Sequence, residues 1–160
     1  MRFAVIGVGA VGGYFGARLA QVGEDVVFIA RGETLKALQS EGLRLDSVSG
    51  DLLLSSVNAV DDTSQAGVVD VVLVGVKTWQ VPEIAGAIQP LLGEDTIVLP
   101  LQNGVEAAAQ LAEVLGRDHV CCGLAKIFSF LAGPGHIRHT GIDPFIAFGE
   151  CDNRRGCRAS

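Results

Sequence analysis

Arg2-Phe3-Ala4-Val5-Ile6-Gly7-Val8-Gly9-Ala10-Val11-Gly12-Gly13 is the stretch whose reading decides the fold. A short apolar run rich in strand formers leads into glycines at 7, 9 and 12, the G-x-G-x-x-G spacing. Tyr14 to Val22 then reads as a helix, and Asp25-Val26-Val27-Phe28-Ile29 as a second strand that ends at Ala30-Arg31. The glycine spacing alone is weak. Between a strand and a helix, with a second strand behind it, it predicts a dinucleotide-binding βαβ unit.

Each glycine has a mechanical job in that unit. Gly7 allows the tight turn off the strand, Gly9 lets backbone approach a pyrophosphate, and Gly12 lets the helix pack closely on the sheet. Phosphates then meet the helix N-terminus, where unpaired N–H groups and the helix dipole favour negative charge. Arg2 and the apolar run could also open a secretory signal peptide. The glycines between Gly7 and Gly16 do not suit its helical apolar region, and no secreted-type cysteine framework follows.

Working outward, 160 residues fit one domain able to bury a proper core. Hydrophobic residues make up 49% and charged residues 19%, below the roughly 25% charged that is usual, which points to a surface normally covered by something else. No apolar run reaches the roughly 18 residues that span a membrane. The net charge of −6 argues against a nucleic-acid surface, so an anionic ligand must be held by local features. Cys121, Cys122, Cys151 and Cys157 form no C-x-x-C pair and read as reduced thiols of a cytoplasmic protein, with no metal site.

After Arg31, Glu33 to Ser40 is helical in composition and closes at Gly42. Leu43 to Asp46 and Asp51 to Val57, with Ser49-Gly50 between them, suggest a hairpin hanging off the sheet, and Asp61 to Ser64 a loop. Asp70 to Val76 and Thr96 to Leu101 are apolar at nearly every position, as parallel strands buried on both faces are. A helix from Pro82 to about Leu92 follows the first, and an alanine-rich helix from Val105 to Leu115 follows the second. His119 to Phe130 reads as one strand, with His136 to Thr140 as its returning partner across Gly133-Pro134-Gly135. Phe145 to Phe148 is one more strand. The fold class is α/β: a Rossmann-like doubly wound, mostly parallel sheet with a small antiparallel extension, over residues 1–150.

In such sheets ligands bind beyond the carboxyl ends of the strands, where strand order reverses. The residues just past the four parallel strands are Gly7 to Gly12, Arg31, Lys77 and Asn103. Arg31 stands where an NAD site usually places an acid for the ribose 2′-hydroxyl, and a guanidinium pairs instead with a 2′-phosphate. The reading is NADP over NAD. The Asn103 amide is able to donate to a carbonyl or hydroxyl near a nicotinamide. His136 and His139 lie on a β pair and read as structural.

Taken together, Gly7 to Gly13, Ala30-Arg31-Gly32, Val76-Lys77-Thr78-Trp79-Gln80, Gln102-Asn103-Gly104-Val105-Glu106, Gly133 to Gly141 and Phe148-Gly149-Glu150 resemble the ketopantoate reductase family, NADPH-dependent reductases of 2-oxo acids. The resemblance implies that Gly7, Val8, Gly9, Ala10, Val11, Gly12 and Arg31 bind NADP(H). It implies that Lys77 and Asn103 line the cleft, that Asn103 also meets the substrate, and that Ser129 contacts the cofactor. The family's catalytic lysine and a substrate-binding glutamate come from a helical domain expected beyond residue 160, so no residue of this chain is assigned catalysis.

The expectation is therefore an N-terminal portion, with residues 151–160 starting the next segment and the helical domain absent. The oligomeric state, a homo-oligomer included, is left open. Two other readings stand beside the reductase half. One is a dinucleotide-binding module without catalysis; the other is a further two-domain Rossmann dehydrogenase of the glycerol-phosphate or 3-hydroxyacid type.

Overall fold

A computed structural model of the chain describes residues 1–103 and 106–151. The opening unit is β1 (Arg2–Ile6), α1 (Ala10–Gln21) and β2 (Asp25–Ile29), with β1 and β2 parallel and Phe3 opposite Val26. Next come α2 (Gly32–Glu41), stopped by Gly42 at φ 82°, then β3 (Leu43–Ser47), β4 (Leu52–Leu54) and β5 (Asn58–Val60). β6 (Val71–Val74) is followed by a 3-10 turn at Thr78–Gln80, α3 (Val81–Ala85) and a second 3-10 stretch at Gly86–Leu91. Then follow β7 (Ile97–Pro100), α4 (Glu106–Leu115), β8 (Cys122–Lys126), β9 (Ser129–Gly133), β10 (His136–His139) and β11 (Phe145–Gly149).

The main sheet has the order β5-β2-β1-β6-β7, parallel throughout. The chain builds outward from β1 to β5 and then restarts on the other side of β1 at β6. Strand order therefore reverses at the carboxyl end of β1, where the glycine turn lies. Side chains alternate between two cores, as a period of two requires. Ala4, Ile6, Val27, Val72, Val74 and Val98 pack with Ile88, Leu91 and Leu111 on the α3–α4 side. Val5, Phe28 and Leu73 pack with Tyr14, Ala17, Leu45 and Ile137 on the other. Helices and a second sheet cover both faces, which is why these strands are apolar at almost every position.

The expected architecture holds, and four local expectations change. α1 begins at Ala10, not Tyr14, so Gly12 and Gly13 lie inside the helix where its backbone presses on the sheet. The helix expected from Pro82 to about Leu92 is only five residues of α-helix, with Gly86 and then Pro90 in a 3-10 continuation; Gly86 removes helix propensity and Pro90 removes a donor. The β3–β4 hairpin does not hang free: β3 pairs in parallel with β10, giving a second sheet of order β4-β3-β10-β9 laid over α1. His119 to Phe130 is not one strand, because β8 pairs with β11 while β9 pairs with β10.

The reduced-thiol reading is also corrected. Cys122 and Cys151 are joined by a disulfide, with 5.2 Å between their Cα atoms. The register sets Gly149 opposite Cys122, so the chain leaving β11 brings Cys151 back to the start of β8. A pairing between residues 29 positions apart leaves no trace in local spacing.

Candidate functional site

The site grows from contacts between backbones. Gly7 turns at φ +87°, and a Cβ there would lie 2.7 Å from the Val76 nitrogen, so only glycine lets β1 end against β6. A Cβ on Gly12 would run into the Gly7 carbonyl oxygen, and one on Gly75 would lie 2.8 Å from the Gly12 Cα. The turn, the start of α1 and the end of β6 thus form one close-packed base.

Gly9 is different. Its φ of −90° suits any residue, and nothing lies within 4 Å of where its Cβ would be. The protein's own packing does not ask for glycine there. Gly9 caps α1 without any side-chain hydrogen bond, and the first turn holds no acid. The first N–H groups of α1 therefore have no capping side chain, the arrangement that suits an anion.

That open space is part of a cavity of about 1050 Å³. Gly7, Val8, Gly9, Ala10 and Val11 line its floor, and Arg31, Lys77 and Ser129 its sides. Arg31 is the N-cap residue of α2, exposed; its carbonyl accepts from the Leu35 N–H at 3.3 Å, and its guanidinium has no hydrogen-bond or ion-pair partner among the described residues. Lys77 is exposed after β6, its backbone N–H donating to Gln80 Oε1 at 3.0 Å. Behind it, the buried Gln102 amide donates to the Val76 carbonyl at 2.7 Å and ties the ends of β6 and β7 together. The Ser129 hydroxyl donates to the Ala10 carbonyl at 3.0 Å, fixing β9 to the head of α1.

Of the sequence-predicted residues, Gly12 lies one position behind the lining, inside the helix. Asn103 sits on the bend after β7, exposed and outside that lining. The structure adds residues that the sequence reading passed over. Asp61, Asp62, Thr63 and Gln65 line the cavity beyond β5, facing a side that carries Ile84 and Ala87. Thr63 Oγ1 donates to the Ala87 carbonyl at 2.6 Å and joins the two. The Ser64 N–H donates to Asp62 Oδ1 at 2.9 Å, and that bond holds the Asp62 carboxyl below the usual carboxylate range. The only signal for this wall was a three-residue strand, too short for a periodicity to show.

Both histidines of the β10 strand are held in the second sheet. His136 Nε2 lies 2.7 Å from Asp46 Oδ2, and this contact, then Arg44, pulls the Asp46 carboxyl down. His139 is buried between Ser47 Oγ and the Ile142 carbonyl. Among the described residues no group of His, Cys, Asp and Glu is arranged to hold a metal ion, and no helix is long and apolar enough to cross a membrane.

Comparison with known proteins decides the family. The profile described as "Ketopantoate reductase PanE/ApbA" matches residues 3–153. The chain belongs to the ketopantoate reductase family. The 2-dehydropantoate 2-reductase of Nostoc sp. is 38% identical over 138 residues, which is 86% of this chain and 43% of that protein. The crystal structure of 2-dehydropantoate 2-reductase from Geobacter metallireducens superimposes with a TM-score of 0.90 at 36% identity, over 96% of this chain and 50% of that one. A D-mandelate dehydrogenase shares the fold, with a TM-score of 0.85 at 24% identity. The chain spans about half the length of the ketopantoate reductases it matches.

Proposed function

We propose that this chain is the NADPH-binding half of a 2-oxo acid reductase, with 2-dehydropantoate (ketopantoate) as the substrate of the whole protein. The observation that carries the reading is Gly9: a glycine that neither backbone conformation nor packing requires, at the head of an uncapped helix, over a large cavity. The pyrophosphate of a dinucleotide fills that cradle, and a Cβ would obstruct it. When bound, the reduced nicotinamide supplies the hydride.

The chain's own residues bind and orient. The backbone from Gly7 to Val11 receives the pyrophosphate, and Gly12 behind it keeps α1 close enough to do so. Arg31 takes the 2′-phosphate in paired charge-assisted bonds, with Lys77 adding positive charge from the next strand end. Phe130 and Leu131, exposed apolar side chains on the β9 wall, shield one side of the cleft from water. Asn103, exposed on the bend after β7, is assigned to the nicotinamide side and the substrate.

Residues 1–150 form the nucleotide-binding domain and 151–160 lead into the segment that completes the substrate site. The proton for the reduced ketone comes from that other half, as the family implies. Loss of a positioned acid costs about 10²–10⁴ in rate, so the 160-residue chain alone is expected to bind NADPH and turn over no ketopantoate. Joined to its natural continuation, it should oxidise NADPH in a ketopantoate-dependent way. Turnover by the chain alone, or none by the joined protein, contradicts this reading.

A further inference from the structure

The cavity holds a feature at odds with a polyanionic ligand. Beside its two cations it is lined by two carboxylates, Asp61 and Asp62. Asp62 is engaged, capping the 3-10 turn Thr63–Gln65 through Ser64. Asp61 is exposed at the end of β5 and has no hydrogen-bond or ion-pair partner among the described residues. A carboxylate left without a partner in such a cleft would weaken binding unless it met a hydrogen-bond donor of the ligand.

The order of the sheet says which donor that is. The phosphate cradle lies at the end of β1, Arg31 at the end of β2, and Asp61 one strand further out, at the edge. The Ala30 N–H donates to the Val60 carbonyl at 3.0 Å, so Arg31 and Asp61 leave neighbouring strands side by side. Strands are about 4.8 Å apart, which sets Asp61 roughly 10 Å from the cradle, past the ribose and level with the base. Ile84 and Ala87 line the same end and offer apolar surface to a flat ring. An ionised carboxylate only accepts hydrogen bonds. Adenine presents an amino donor at position 6, whereas a 6-oxo purine presents a carbonyl oxygen.

We propose that Asp61 reads the base, its carboxylate accepting a hydrogen bond from the exocyclic 6-amino group and selecting adenine dinucleotides over 6-oxo purine ones. The proposal rests on the dinucleotide reading above and adds its base specificity. The test compares dissociation constants for NADPH and for its deamino analogue, the hypoxanthine dinucleotide phosphate, in wild type, Asp61→Ala and Asp61→Asn, with circular dichroism to confirm the fold. Wild type should prefer NADPH by about tenfold, the scale of one hydrogen bond to a charged acceptor. Asp61→Ala should bring the ratio close to one by losing NADPH affinity, and Asp61→Asn, whose amide both accepts and donates, by gaining affinity for the 6-oxo analogue. A wild-type ratio near one, or a tenfold ratio that survives in Asp61→Ala, overturns the proposal. Failure of wild type to bind either dinucleotide overturns the dinucleotide reading itself.

Discussion

The hydroxyl of Ser129 donates to the carbonyl of Ala10 at 3.0 Å, across 119 positions of chain. This bond joins the second sheet to the head of α1, and so ties the β9 wall to the glycine turn. Ser129, expected from the sequence as a cofactor contact, spends its proton on the protein. Removing the bond should loosen the wall without emptying the cradle. Ser129→Ala is expected to cost about 1 kcal/mol of stability and to weaken NADPH binding a few-fold, read by thermal unfolding and by titration. Full loss of binding would mean that the hydroxyl serves the ligand directly.

In the proposed function Arg31 carries the choice of cofactor. Its guanidinium is exposed on the cavity and unpaired among the described residues. A charge-assisted bond is worth about 1.5–3 kcal/mol, so Arg31→Ala should weaken NADPH binding roughly tenfold or more and leave NADH binding nearly unchanged. An equal loss for both dinucleotides would remove the 2′-phosphate assignment.

How much of this was legible in the sequence depends on the range of the cause. β1, the glycine turn, β2 and the buried runs of β6 and β7 declare themselves because each is set by its own composition and by burial on both faces. The edge of the sheet did not. β5 has three residues, and Asp61 and Asp62 after it read as loop until parallel pairing with β2 placed them on the cavity. The pairing of β3 with β10 and of Cys122 with Cys151 joins residues 92 and 29 positions apart, and such partners are chosen by the assembled fold. Asn103 could be placed at a strand end but not relative to the cavity, because composition fixes the buried strand and not where its exit points.

The disulfide makes its own prediction. Closing a loop between residues 29 positions apart stabilises by about 3–4 kcal/mol in the chain-entropy account. Treatment with a reductant, or Cys151→Ser, should therefore lower the unfolding temperature by several degrees while NADPH affinity changes little, since the bond lies on the β8–β11 ribbon outside the cavity lining. Unchanged melting under reduction, with every thiol already titratable beforehand, would show that Cys122 and Cys151 are thiols in solution.

Gly9 and Gly12 differ in a way that tests the central claim most directly. Gly12 is required by the protein, its Cβ position being filled by the Gly7 carbonyl, so Gly12→Ala should destabilise by about 1–3 kcal/mol through overpacking. Gly9 faces open space, so the protein's packing does not require it, and in the proposed function only the ligand does. The measurement is an NADPH titration of Gly9→Val, followed by nicotinamide fluorescence, beside its thermal unfolding curve. The account predicts an unfolding temperature within a degree or two of wild type and no saturable NADPH binding. Wild-type NADPH affinity in a folded Gly9→Val chain would contradict it.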